Sequence, residues 1–390
     1  MQKSPAAKNP SPPLFQRLAL AGAGILASLL FIVLAAALVE GFCGAILVLG
    51  APTTKPHWMD PEGSPAPAPE DPIMGQEDPV IGHTLQPNLL VRYANAPGRW
   101  VRTNSQGFRN DVDFPAAAPQ GRLRVLCSGD SMTFGLGASN GETWPDRLAA
   151  IDPRIETVNM GASRYGIDQM YLWYMRAGTP LEHAVHVVAL IPLDVLRLGF
   201  EKDGFLDRPR LEVREGRLEV VNQPVHNAWY KFRLQPLFTA LGDLHMVRLS
   251  RGFVRIHASP PQPLSSSTEE RLTRILEELA QASRAQGSVL VVALLPSDPR
   301  AGLRRQDEFC REFLASQLPA LGIPFLDLDS GIADLPVARI RRLFIPEGSP
   351  FMGHYTAEGA SYVAERLHAK LIADTRIAAR LKACQRPRRS

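Results

Sequence analysis

The chain has 390 residues, 45% of them apolar and 21% charged, with 43 basic against 39 acidic side chains and a formal charge of +4. Such a chain can bury a sizeable core without disulfide staples, as two units or as one large domain with accessories. So small a net charge, with no zinc-type cluster and no basic-aromatic stripe, argues against a nucleic-acid partner, and nothing in the sequence implies a metal or an organic cofactor.

Residues 1–17 are polar and proline-rich, with Lys3, Lys8 and Arg17. From Leu18 to Val39 there are 22 residues without a charge, and the chain stays apolar to about residue 50. That exceeds the roughly 20 residues a helix needs to cross the hydrocarbon core, and the apolar region of a cleaved signal peptide is shorter, about 7–15 residues. The expectation is an uncleaved anchor over 18–50. The basic residues precede it, and Glu40 is the only charge between Val39 and Lys55, so the positive-inside rule puts the N-terminus in the cytoplasm and the rest outside, in the periplasm if the cell is bacterial. Residues 51–80 carry eight prolines and read as a semi-rigid spacer. Residues 81–120 read as a short β-rich lead-in.

From residue 121 the pattern is α/β. Apolar runs at 123–127, 155–159, 185–191, 288–295 and 323–328 read as strands, and continuous runs of this kind suit strands covered on both faces. Helical patterns fall between them. Ser267-Thr268-Glu269-Glu270 reads as a capping box ahead of a stripe of Leu272, Ile275, Leu276 and Leu279. Ala360, Val363, Ala364, Leu367 and Leu371 form another such stripe. The expected fold is a three-layer α/β/α sandwich, flavodoxin-like, around a mostly parallel sheet spanning 121–375. Residues 197–264 break the rhythm with a hairpin turning at Glu215-Gly216 and read as an insertion, either a lid or a surface excursion. Residues 376–390 form a basic tail. Cys43, Cys127, Cys310 and Cys384 are spaced too widely for a disulfide framework.

The first strand runs into Gly129-Asp130-Ser131-Met132-Thr133-Phe134-Gly135, a small-residue turn that holds a serine hydroxyl at the sheet edge. Near the C-terminus, Gly353-His354-Tyr355-Thr356-Ala357-Glu358-Gly359 precedes the last long helix, and Asn159-Met160-Gly161 follows the second strand. Together these resemble the first, last and second blocks of the SGNH (GDSL-type) hydrolases. Thr103 to Arg109 resembles a lead-in found before the first block in some membrane-anchored members. The resemblance implies Ser131 as nucleophile, His354 as general base, and the backbone N–H groups of Ser131 and Gly161 as oxyanion donors. A glycine at 161 would also serve a close backbone approach. Two positions depart from the family pattern. Leu193 stands where an asparagine donor is expected, and Phe351 stands where the orienting aspartate is expected, three residues before His354. Glu347 could supply that acid if its loop bends back; a backbone carbonyl would instead leave a Ser–His dyad. Asp130 is expected to organise the turn.

Three functions are compatible with this reading. The first is a membrane-anchored serine esterase that removes acyl groups, O-acetyl among them, from an envelope or extracellular polysaccharide. The second is a polysaccharide O-acyltransferase using the same Ser–His pair. The third is a catalytically degraded glycan-binding or scaffold protein.

Overall fold

The structure, a computed structural model, describes residues 14–50, 74–93, 98–203, 206–227, 244, 246, 264–299, 304–346, 349 and 351–384. The chain divides into two units, one of Met1–Ser64 with Leu237–Ala258, the other of Pro65–Pro236 with Ser259–Ser390. The first holds helix α1 (Leu14–Gly50), within which Gly22–Ala45 is long and apolar enough to cross a membrane by length and composition. At 1.5 Å per residue its 24 residues exceed a hydrocarbon core of about 30 Å. Residues 1–13 and most of the proline-rich spacer lie outside the described residues.

The second unit opens with two antiparallel pairs, β1 (Gly75–Asp78) with β2 (Gly82–Leu85) and β3 (Leu90–Arg92) with β4 (Trp100–Arg102). The core then alternates strand and helix: β5 (Leu123–Gly129), α2 (Ser131–Phe134), α3 (Trp144–Ile151), β6 (Ile155–Asn159), α4 (Ile167–Trp173), β7 (Val185–Leu190) and α5 (Pro192–Leu196). Two short antiparallel pairs interrupt it, β8 (Lys202–Asp203) with β9 (Leu206–Asp207) and β10 (Leu211–Arg214) with β11 (Arg217–Val220). The hairpin turns at Glu215 and Gly216, both at positive φ, as a two-residue turn between twisted strands requires. Of the expected insertion, residues 204, 205, 228–243, 245 and 247–263 lie outside the described residues. The core resumes with α6 (Ser266–Ala285), β12 (Val289–Leu294), α7 (Arg304–Gln317), β13 (Phe325–Asp327), α8 (Val337–Leu343), α9 (Ala357–Ala373) and α10 (Thr375–Ala383).

Five strands form one sheet in the order β13-β12-β7-β5-β6, every pair parallel. Side chains alternate across it. Leu126, Val158, Val188, Leu190 and Val292 pack with the buried stripes of α4, α6 and α7. Val125, Cys127, Val187, Ala189 and Val291 pack with those of α3, α8, α9 and α10. This is the three-layer sandwich the apolar runs imply. The order reverses between β5 and β7, and in open sheets of this kind ligands bind outside the strands' carboxyl ends at that switch point. One boundary differs from expectation: α6 is capped by Ser265, whose hydroxyl accepts from Thr268 N–H at 3.3 Å, two residues ahead of the serine that the capping-box pattern selects.

The apolar layer carries a buried histidine pair. His186 of β7 stacks on Tyr174 at 3.8 Å and bonds Ser128 Oγ at 2.9 Å through Nε2. His183 Nδ1 faces the Leu181 carbonyl and its Nε2 faces the Tyr174 hydroxyl, which also meets Ser283. Burial holds both imidazoles below their ordinary pKa, most strongly His186, and Arg124 adds to the effect on His183. Such groups are neutral in the folded chain, while the unfolded chain takes up protons below about pH 6.5. Stability is therefore expected to be level above that pH and to fall below it, by up to about 1.4 kcal/mol per pH unit for each histidine. Urea unfolding of the full chain between pH 7.5 and 5 measures the slope, and His186→Phe, which keeps a ring against Tyr174, should make it shallower.

Candidate active site

Three loops at the carboxyl ends of β5, β6 and β7 meet the segment between α8 and α9. On the first, Asp130 caps α2: its Oδ1 accepts Met132 N–H at 2.8 Å, which is the organising role expected of it. The first turn of a helix leaves N–H groups without intrahelical acceptors, and that of Ser131 is one of them. Gly135 ends α2 at φ 78, a left-handed conformation that glycine adopts without steric penalty.

His354 sits in a tight reversal. Ile345 N–H donates to the His354 carbonyl at 2.7 Å, and Gly353 N–H donates to the Ile345 carbonyl at 3.0 Å. The neighbouring Tyr355 hydroxyl donates to the Pro296 carbonyl just beyond β12 at 2.6 Å. This brings His354 Nε2 to 2.9 Å from Ser131 Oγ across 223 residues of sequence. Its Nδ1 lies 3.0 Å from the Phe351 carbonyl oxygen. A carbonyl can only accept, so Nδ1 carries the proton, Nε2 presents its lone pair, and the Ser131 hydroxyl donates to it. The structure thus joins serine and histidine with a backbone carbonyl behind them. Glu347 lies outside the described residues.

The second loop departs from expectation at Gly161. Its N–H donates to Asn159 Oδ1 at 3.0 Å, and the Asn159 amide in turn donates to the Thr133 carbonyl at 2.9 Å. The N–H expected to face an oxyanion is therefore committed to a buried carboxamide. A Cβ at 161 would overlap the Phe134 backbone nitrogen and Thr133, so the glycine is explained by close approach of this loop to α2. Beyond it Arg164 adopts φ 67, uncommon outside glycine, with its carbonyl accepting from the Arg208 guanidinium at 2.9 Å and the Ser163 carbonyl facing His83 Nε2 at 3.0 Å. Arg208 is also paired with Asp168 at 2.7 Å, both buried.

On the third loop Leu193 is partly exposed and has no polar atom to offer. Asp194 is fully buried, its Oδ2 accepting Ile191 N–H at 2.9 Å and its Oδ1 facing Arg197 at 2.7 Å. Burial, and the Asp130 carboxyl beside it, hold its pKa well above the ordinary carboxylate range. The Arg197 guanidinium donates to the Tyr165 carbonyl at 3.0 Å and lies 3.6 Å from Asp130 Oδ2, so one buried cation ties together the loops after β5, β6 and β7. Arg197 and Arg208 are not singled out by the sequence, Asn159 enters it only as part of the second block, and the backbone carbonyl offered as the alternative to Glu347 is that of Phe351. The three side chains read as ordinary polar residues, and a carbonyl leaves no trace in a side-chain pattern.

No family model matches the chain, and no curated protein matches it. Solved structures similar to it include a lipolytic protein of the G-D-S-L family from Desulfitobacterium hafniense, at 14% identity over 64% of this chain and 99% of that one, with a TM-score of 0.38. Another is TesA, at 14% identity over 64% and 98%, with a TM-score of 0.37. A third is a variant of Axe2, an acetyl xylan esterase from Geobacillus stearothermophilus, at 12% identity over 64% and 94%, with a TM-score of 0.36.

Gly161→Ala forces a methyl group into the contact between the second loop and α2. Overpacking of this kind is expected to destabilise the chain by about 1–3 kcal/mol. Urea unfolding against the parent protein checks it.

Proposed function

We propose that this chain is a serine esterase of the SGNH type, with Ser131 as nucleophile and His354 as general base. The observation that carries the reading is the 2.9 Å contact from His354 Nε2 to Ser131 Oγ in the only tautomer that lets the imidazole accept the serine proton. Ser131 Oγ attacks the ester carbonyl carbon as its proton passes to Nε2. The carbonyl oxygen becomes an oxyanion, with Ser131 N–H as its donor; Gly161 N–H could join only if Asn159 released it. Collapse breaks the bond to the alcohol oxygen, which takes the proton from Nε2. Water then repeats the sequence on the acyl-serine and releases a carboxylic acid.

The departures define a Ser–His dyad rather than a full triad. The Phe351 carbonyl performs the tautomer selection of the missing acid but lacks its full negative charge to stabilise the imidazolium. Leu193 removes a side-chain oxyanion donor, a loss worth roughly 10²–10³ in rate where it has been measured. On this reading α1 is an uncleaved anchor with the catalytic unit outside the membrane, and the substrate is an acyl ester, O-acetyl in the first instance, on an envelope or extracellular polysaccharide. Support for that location comes from the apolar span and from the basic residues Lys3, Lys8 and Arg17 ahead of it.

Turnover of p-nitrophenyl acetate by the full chain in detergent should fall to background in Ser131→Ala and in His354→Ala. Glu347→Gln should stay within a few-fold of the parent. Loss of activity in that variant comparable with His354→Ala would replace the dyad by a triad, and parental turnover no higher than that of Ser131→Ala would remove the esterase reading. Transfer of acetyl to an added sugar acceptor, in place of release as acetate, would turn the same site into a transferase.

A further inference from the structure

The β-rich lead-in ahead of the first core strand holds the loop that follows the Ser131 helix through a dense set of hydrogen bonds. The gripped stretch is 134–140, directly after the nucleophile helix. Arg109, fully buried, donates through Nη1 to the carbonyls of Phe134 at 2.6 Å and Gly135 at 2.8 Å, and through Nη2 to that of Ala138 at 2.5 Å. Its Nε reaches Asn140 Oδ1 at 3.3 Å, and its guanidinium lies 4.4 Å from the centre of the Phe134 ring. Two of these acceptors are carbonyls at the end of α2, where a cation is favoured. Arg99 donates to the Gly137 carbonyl, Gly137 N–H donates to the Tyr93 hydroxyl at 3.2 Å, and Arg102 N–H donates to Asn140 Oδ1 at 3.0 Å.

The same segment reaches the histidine side. The Tyr93 ring packs edge-on against Phe351, with centroids 4.9 Å apart, and Phe351 N–H is fixed by Ser349 Oγ at 3.2 Å. Phe351 is the residue whose carbonyl holds His354 Nδ1. One element therefore braces both partners of the dyad, Ser131 through Arg109 and α2, and His354 through Tyr93 and Phe351.

We infer that residues 90–110 are a catalytic brace, in which Arg109 and Tyr93 are positioning residues that set the Ser131–His354 geometry. The inference rests on the esterase reading above. Misplacement of a reacting group by about 1 Å can lower a rate about 10²-fold. Arg109 and Tyr93 are buried and act through the backbone of 134–138 and the Phe351 ring, so their loss should appear in kcat and not in KM.

The experiment measures, on the full chain in detergent, the second-order rate of Ser131 labelling by a fluorophosphonate together with kcat and KM for p-nitrophenyl acetate. The variants are Arg109→Lys, Tyr93→Leu and Tyr93→Phe, with Ser131→Ala as blank. Arg109→Lys keeps the charge but loses the multidentate fork, and is expected to slow labelling and kcat by about 10- to 100-fold with KM within about twofold. Tyr93→Leu should behave likewise. Tyr93→Phe retains the ring against Phe351 and should recover most of the Tyr93→Leu loss. Wild-type labelling rates in folded Arg109→Lys and Tyr93→Leu would overturn the inference. So would equal loss in Tyr93→Phe and Tyr93→Leu, since the ring contact would then have no role. If Arg109→Lys does not fold, the two Tyr93 variants decide. Failure of the parent protein to label at Ser131 is a different result, because it removes the esterase reading itself.

Discussion

Phe351 has no side-chain oxygen, yet its carbonyl fixes which nitrogen of His354 carries the proton. Everything the site can do follows from that bond: with Nδ1 protonated, Nε2 is a base aimed at Ser131; with the proton on Nε2 it would be a donor and the serine could not be activated. A backbone acceptor is reliable only if its own peptide cannot turn. The reversal between α8 and α9 supplies that restraint through paired backbone bonds between Ile345, Gly353 and His354, through Ser349 under the Phe351 amide, and through Tyr355 reaching across to Pro296. On the proposed esterase reading, the orienting function falls to a piece of folded chain rather than to a side chain.

Much of the frame is legible in the sequence. The five strands announced themselves as apolar runs because both faces of the sheet are covered, and a strand buried on both faces cannot hide its composition. Ser131 and His354 were legible because each stands in a short block at a strand end or helix start. What escaped was of two kinds. Backbone groups carry no identity, so neither the Phe351 carbonyl nor the commitment of Gly161 N–H to Asn159 could be read from residue types. Arginines were the other kind. Arg109 and Arg208 stand in polar stretches that resemble surface and Arg197 in a largely apolar one; only the fold shows them buried against carbonyls and carboxylates. The cap of α6 moved for a simpler reason: Ser265, Ser267 and Thr268 offer adjacent hydroxyls, and local pattern cannot choose among them.

These buried cations are better understood as specifying than as stabilising. Desolvating a guanidinium and a carboxylate offsets most of their attraction, so pairs such as Arg208–Asp168 add little net stability. They do restrict the backbone. Arg197 holds a carbonyl of the second loop and carboxylates of the first and third at once, and Arg208 holds the carbonyl of Arg164, whose φ of 67 is one that a non-glycine residue keeps only where its surroundings insist. The loops at the switch point are thus fixed by buried polar contacts, and on the esterase reading these hold the frame while the residues that carry the chemistry differ from those of a full triad.

That division bears on which acyl bond such a site suits. On the esterase reading, with a neutral carbonyl behind the histidine and no side-chain donor at position 193, the imidazolium and the oxyanion would both receive less electrostatic help than in a complete triad. An amide needs that help most, because its nitrogen must be protonated before it can leave. An ester needs it least, since an alkoxide departs with only partial proton transfer from Nε2. A dyad held rigidly in the correct tautomer, short of charge but not of alignment, therefore matches ester chemistry: the barrier it must lower is dominated by bringing hydroxyl, imidazole and carbonyl into line, which positioning alone can supply.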